Sequence, residues 1–265
     1  MNPRLNHDIL DHPNMLFLKI KKSALTLKDD LLDFVYPQSC PICEKPLRRG
    51  EKEVCEDCWN ALASLPSSYC PYCKSFLENG DADFEHRCSF LKHPEDRKIL
   101  AVRSLGTFND YYRTLIHRFK YDKKIHLGER LAKSLGEKVA KEKDFLNCDL
   151  IIPVPLHRSR HRERGFNQSD ILAQGVSQRT GVPLAKGILK RKKHTQDQTY
   201  LDPQQRKENV KDAFVITQPE KINGKQVILV DDVITTGATL NECAQMLLEA
   251  GATKIFAVTL VVVVD

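Results

Sequence analysis

Two aspartates stand side by side at the end of an apolar run in VILVDDVITTGATL, Val227–Leu240. After Asp231 and Asp232 come Thr235, Thr236, Gly237, Ala238 and Thr239, and then a helix-like pattern. N–H groups in the first turn of a helix have no intrahelical partner and point outward at the positive end of the helix dipole. Together with threonine hydroxyls they form a cradle for a phosphate, and Gly237 lets the backbone turn and come close. No lysine follows the glycine, so this is not a Walker loop, and a single glycine is not the dinucleotide fingerprint. Carboxylates beside a phosphate repel it unless something lies between them. A ribose does this: its 2′ and 3′ hydroxyls donate to the carboxylates while its 5′ phosphate rests in the turn. A Mg²⁺ ion carried by a pyrophosphate compensates the charge further. The ligand read this way is a sugar phosphate carrying pyrophosphate. The plainer alternative is a strand-to-helix turn capped by Asp232 or a threonine, but a cap explains neither the paired aspartates nor the three threonines.

A second chemistry lies upstream. Of nine cysteines, six form three Cys-x-x-Cys pairs before residue 75. Cys40, Cys43, Cys55 and Cys58 supply four thiolates to one tetrahedral zinc. Cys70 and Cys73 begin the pattern again, but a full partner pair would need cysteine at Glu85, where His86 and Cys88 are offered instead. A Cys3His site is chemically sound, so the expectation is one or two structural zinc ions. The alternative is a set of reduced structural thiols or a redox pair. A closed site does no chemistry itself. It positions a neighbouring domain, mediates dimerisation or touches nucleic acid. Lys45, Arg48, Arg49 and Lys52 between the pairs read as a solvated face.

The elements that must hold these residues are legible from periodicity. DLIIPVP (149–155), QVILVDD (226–232) and KIFAVTLVVVV (254–264) read as buried parallel strands. RKILAVRSLGTF (97–108) reads as a further strand opening the second domain. Leu115, Ile116 and Phe119, then Leu127, Leu131, Leu135 and Val139, predict two helices over 111–141. Asn167 or Ser169 caps another, ending at Gly181. Leu240, Cys243, Ala244, Leu247 and Leu248 mark the face of a last helix closed by Gly251. Alternating strands and helices mean an α/β fold, a mostly parallel sheet flanked by helices. The expected division is an extension at 1–30 (with Met15 as an alternative start), a zinc-binding module at 31–95 and the α/β domain at 96–265. The run Arg191–Asn209 has no apolar periodicity and reads as a lid. Its Lys192, Lys193, Arg206 and Lys207 are set to reach a pyrophosphate, and Tyr200 and Leu201 to seal it.

The motifs together resemble a known family. VILVDDVITTGATL is similar to the phosphoribosyl pyrophosphate signature of type I phosphoribosyltransferases. With PVPLHRSRHRERGFNQS, HTQDQTYLDPQQRKENV and the cysteine module, the chain resembles the ComF family from about Leu31 onward. The resemblance implies a type I phosphoribosyltransferase-like fold behind a small zinc-binding module. It implies that Asp231 and Asp232 contact the ribose hydroxyls as catalytic residues and that Thr235–Thr239 hold the 5′ phosphate. It makes His157–Arg160 the pyrophosphate loop and 191–209 the loop that closes over the site. Arg158, Arg160, Arg162 and Arg164 follow a strand end, where ligands of α/β sheets bind. Arginines there suit a pyrophosphate, and the residues expected on the ligand are His157, Arg158 and Arg164. The bland alternative for the arginines is a solvated or nucleic-acid-facing helix start.

Composition narrows the class. The chain has 265 residues and a net charge of +6, from 41 basic and 35 acidic residues. That excess permits contact with phosphates or nucleic acid without demanding it. No apolar tract is long enough to span a membrane, and the paired cysteines suit a reducing cytoplasm. Two functions stay open: Mg²⁺-dependent transfer of ribose 5-phosphate, linked through the family to competence and DNA uptake, or a non-catalytic phosphoribosyl pyrophosphate sensor or single-stranded-DNA-handling factor. Competence and recombination proteins are the protein partners the resemblance implies. His117, His126, His161 and His194 read as surface residues, Cys148 and Cys243 as core thiols, and Trp59 as packing.

Overall fold

The computed structural model describes residues 38–63, 68–70, 72, 97–193 and 202–264. The extension at 1–30, Cys73, His86 and Cys88 of the second expected zinc set, and 194–201 of the expected lid lie outside them. The chain divides into two compact units, Met1–Glu56 and Asp57–Asp265.

In the first unit the chain around Cys40 folds as a knuckle. Cys40 N–H donates to Lys45 O and Glu44 N–H to Cys40 O, each at 2.8 Å. Glu44 takes a left-handed φ of 61° to close the turn, and Ser39 and Pro46 form a β-bridge across it. A helix α1 (Glu56–Ala63) begins at the unit boundary.

The second unit is built on one sheet. Its strands are β1 (Ser68–Tyr69), β2 (Val102–Thr107), β3 (Leu150–Pro153), β6 (Gln226–Ile234) and β7 (Lys254–Val262), ordered β1-β2-β7-β6-β3. All pairings are parallel except the short antiparallel edge β1–β2. Both central strands are apolar on both faces because helices cover both. Val227 and Leu229 join a cluster with Leu240, Cys243, Ala244 and Leu247 of α8 (Ala238–Glu249). On the other side pack α3 (Ile125–Val139) and α6 (Gln168–Thr180). The remaining helices are α2 (Asp110–Lys120), the single turn α4 (Lys143–Leu146), α5 (Arg158–Arg164) and α7 (Pro203–Val210).

Helices α3 and α6 cross almost backbone to backbone. A Cβ on Gly175 would lie 2.5 Å from Ala132 Cβ and 2.7 Å from its carbonyl carbon, and one on Gly136 would lie 2.7 Å from Gly175 O. Backbone cannot rotate away as a side chain can. Gly175→Ala is therefore expected to cost about 1–3 kcal/mol, the usual cost of overpacking, read as a lowered urea midpoint. An unchanged midpoint would show that the helices separate freely.

The predicted strands and helices appear where periodicity placed them, with four differences. First, β6 continues two residues past the expected end, because β7 goes on pairing with it to Ile234. The aspartates thus stand inside a strand, not at its end. Second, His157–Arg160 is not a loop: His157 caps α5, its ring accepting from Ser159 N–H. Third, the expected lid holds a helix. Asp202 accepts from Gln205 N–H while the Gln205 side chain accepts from Asp202 N–H, and Pro203 takes the first helical turn. This capping box starts α7 without any apolar stripe. Fourth, β4 (Leu189–Arg191) and β5 (Phe214–Ile216) pair antiparallel on either side of that segment. Lys192 N–H donates to Ala213 O at 2.8 Å, so residues 192–213 leave and return at one place.

Candidate functional site

After β6 the chain turns into α8 at Gly237. Gly237 holds a left-handed φ of 75° as the residue before α8, a region where a side chain is strained. Ala238 N–H donates to Thr236 Oγ1 at 3.3 Å. Gly237 is buried, while Thr235, Thr236, Ala238 and Thr239 are partly exposed at the rim.

Each aspartate is tethered by one oxygen. Asp231 Oδ1 accepts from Ser169 Oγ at 3.1 Å and from Asp232 N–H at 2.9 Å. Asp232 Oδ2 lies 2.5 Å from Lys120 Nζ, with the two side chains only 15% and 16% exposed. The other oxygens, Asp231 Oδ2 and Asp232 Oδ1, have no partner among the described residues. The two acceptors left uncommitted on adjacent residues equal in number the donors of a vicinal diol. Ser169 is held in place by the Asn167 cap, whose Oδ1 accepts from Ser169 N–H at 3.2 Å and whose Nδ2 donates to Val154 O at 3.1 Å. Burial and the adjacent Asp232 charge push the Asp231 carboxyl up to about 7, against the pull of Asp232 N–H, Lys120 and Ser169.

The arginine-rich segment divides. Arg158 is exposed at the start of α5, and His157 and Arg160 are partly so. Arg164 is buried: it donates to Gln168 Oε1 at 3.1 Å and to Tyr121 OH at 3.4 Å, with its guanidinium 5.2 Å from the Tyr121 ring. Arg191 at the end of β4 lies over the Phe214 ring at 5.3 Å. Burial lowers its pKa, as does the charge of Arg160, while Cys243 and Asp231 raise it. Cys148 and Cys243 are buried thiols pushed up by burial, as expected of core residues. His117, His126 and His161 are exposed. Trp59 is not core packing: it is half-buried, with Arg130 3.9 Å above its ring.

The sequence does not place Lys120 or Ser169 at the site, and it includes Arg191 only as the first residue of the closing loop. Ser169 had a signal, since a cap at Asn167 places it in the first helical turn. Lys120 had none, because nothing in FKYDKK says which strand its helix end will meet.

The sulfurs of Cys40, Cys43, Cys55 and Cys58 all lie within 4.8 Å of one another. Cys43 and Cys55 are 3.7 Å apart, close to the ~3.8 Å that tetrahedral Zn–S bonds require. Burial raises the Cys40 thiol, but backbone hydrogen bonds from Cys55, Cys43 and Ile42 and the Cys55 side chain outweigh it and bring it down to about 6. A thiolate at neutral pH is what zinc needs, so the donor set fits a structural zinc. Among the described residues no other group of three or more such ligands occurs, and no helix is long and apolar enough to cross a membrane.

Two family models match the chain. Residues 164–265 match the phosphoribosyl transferase domain, and residues 31–89 match the double zinc ribbon domain. The chain is 33% identical to competence protein F of Haemophilus influenzae, over 82% of its own length and 93% of that protein. It is 33% identical to the DNA utilization protein YhgH of Escherichia coli O6:H1, over 83% and 94%. To competence protein ComFC of Bacillus subtilis it is 28% identical, over 77% and 82%.

Proposed function

The chain belongs to the competence protein F family of phosphoribosyltransferase-fold proteins, and we propose that it binds phosphoribosyl pyrophosphate with Mg²⁺ and transfers its ribose 5-phosphate to an acceptor. The observation that carries this is the pair of uncommitted carboxylate oxygens on Asp231 and Asp232 beside the Gly237 turn. Asp231 and Asp232 accept from the ribose hydroxyls, and the turn from Thr235 to Thr239 holds the 5′ phosphate against the N-terminus of α8. His157, Arg158 and Arg164 belong to the segment that faces the pyrophosphate. Mg²⁺, arriving on the pyrophosphate, would neutralise charge on the leaving group. As the bond from C1 to pyrophosphate breaks, positive charge grows on the ribose ring, and closure of 192–213 excludes water from it. The zinc ribbon match supports a structural module at 31–95, with Cys70, Cys73, His86 and Cys88 as a second site. The names of the relatives support a role in competence and DNA utilisation, for which we propose single-stranded DNA and recombination proteins as the macromolecular partners.

Titration calorimetry with phosphoribosyl pyrophosphate and Mg²⁺ should show saturable binding at one site per chain. A panel of purine and pyrimidine bases added to that mixture should release pyrophosphate with at least one of them. No heat at millimolar ligand would end the proposal. Binding without turnover on any acceptor would leave a sensor in place of an enzyme.

A further inference from the structure

The signature turn explains what the carboxylates face, but not what holds them. Asp232 is fixed from outside the signature, by Lys120 at the last turn of α2. The next residue, Tyr121, receives Arg164, which donates to Gln168, and Gln168 adjoins Ser169, which donates to Asp231. The contacts thus close a ring: Asp232 to Lys120, Tyr121 to Arg164, Gln168 and Ser169 back to Asp231. The end of α2 ties the aspartate pair to the arginine segment of α5.

We propose that Lys120 is a positioning residue of the diol site, whose ammonium clamps Asp232 Oδ2 so that Oδ1 is left for a ligand hydroxyl. The inference rests on the ribose reading above. A carboxylate has room for about four hydrogen bonds over its two oxygens. Without an anchor, Asp232 can rotate and offer either oxygen, or turn away from the neighbouring Asp231. With Lys120 on Oδ2, one rotamer is selected before the ligand arrives, and the ordering cost falls outside the binding step. The ammonium also answers the like charge of two adjacent carboxylates. Among the described residues, the other groups that act on Asp231 or are acted on by it are Asp232 beside it, Ser169 from α6, Arg191 from β4 and Cys243 from α8. Cys243 is held neutral by burial, and among the described residues Lys120 and Arg191 are the cations that act with Asp231.

The test compares Lys120→Met and Lys120→Arg by calorimetry with phosphoribosyl pyrophosphate and Mg²⁺ from pH 6 to 9. Losing one charge-assisted hydrogen bond should weaken binding by about tenfold or more at pH 7. In Lys120→Met the pH midpoint for binding should move upward, because Asp231 loses the cation that helps it give up its proton. Lys120→Arg should keep the original midpoint. Binding by Lys120→Met within twofold of the parent, at an unmoved midpoint, would overturn the proposal. If Lys120→Met does not fold, Lys120→Gln against Lys120→Arg makes the same comparison. A second readout needs no ligand: the Asp231 carboxyl, followed by carbon NMR, should titrate at higher pH in Lys120→Met. If the parent binds no phosphoribosyl pyrophosphate but that midpoint still climbs, the clamp stands and the ligand assignment falls. If the parent binds and the midpoint stays put, the clamp falls and the ligand assignment stands.

Discussion

The variant with both Asp231→Asn and Asp232→Asn should lose phosphoribosyl pyrophosphate by about a hundredfold or more in Kd. An amide has the shape of the carboxylate but carries no charge, and one of its two polar atoms is a donor. Each ribose hydroxyl then meets a neutral acceptor or a competing donor. A hydrogen bond to a charged group contributes about 1.5–3 kcal/mol, so two of them amount to at least two decades in affinity. Calorimetry with Mg²⁺ present reads the loss directly. Retained affinity in the double variant would move the ribose elsewhere and end the assignment of these residues.

The single variant Asp231→Asn separates function from stability, because the two effects have opposite signs. Burial and the Asp232 charge raise the Asp231 pKa in the fold to about 7, from a usual 3.8. Between about pH 4 and pH 7 the folded protein therefore holds a proton that the unfolded chain has released. The stability this group contributes is full below about pH 4 and is lost as pH rises through about 7. Asn at this position keeps the contacts to Ser169 and Asp232 N–H and never ionises. Asp231→Asn should accordingly melt higher than the parent at pH 8, and the difference should vanish toward pH 4. Ligand binding follows the reverse course and strengthens as pH rises through about 7. A charge kept at a cost to the fold, and needed by the ligand, is what a binding site shows and a structural turn does not. Asp232→Asn lacks this property, since it leaves the Lys120 ammonium without its partner.

The parts legible in the sequence share a physical reason. Strands β3, β6 and β7 are covered on both faces, so they are written as unbroken apolar runs. Helices α2, α3 and α8 each bury one face, so their apolar residues recur at helical spacing, while α6 is marked by its caps, Asn167 and Gly181. The Gly237 turn is local, and the first cysteine set is two Cys-x-x-Cys pairs within one short stretch, Cys40 to Cys58. What escaped was either tertiary or carried by capping. Lys120 meets Asp232 only because α2 ends near the carboxyl end of β6, and no local pattern encodes that meeting. Arg164 looked like its exposed neighbours in HRSRHRERG, yet it turns inward to Tyr121 and Gln168. Helix α7 is invisible to periodicity because it has no apolar stripe, although Asp202, Pro203 and Gln205 spell a capping box. The extension of β6 to Ile234 depends on β7 staying beside it, and the pairing partner of a strand end is not written in that strand.

Substituting Cys40→Ser should remove one zinc ion per chain and unfold the module around it, without removing the ligand site. Metal binding at a four-thiolate site supplies about 10–16 kcal/mol of apparent free energy, as large as the whole stability of an ordinary domain. Residues 38–56 contain a knuckle of backbone turns and very few buried apolar side chains beyond Val54 and the cysteines themselves. Nothing else there replaces the metal. Zinc content by atomic emission should fall by one, and a protease should cut freely between residues 40 and 58. Every residue assigned to phosphoribosyl pyrophosphate lies between 157 and 239, so its affinity should stay within about twofold. Acid should do what the substitution does. Protons compete with zinc for thiolates, so zinc should be retained at pH 7 and 8 and released on strong acidification. Unchanged zinc content in Cys40→Ser would show that the first cysteine set is not a metal centre. Loss of ligand affinity along with the metal would show instead that the zinc module holds the phosphoribosyl site in shape, a coupling that the positions of the site residues alone do not require.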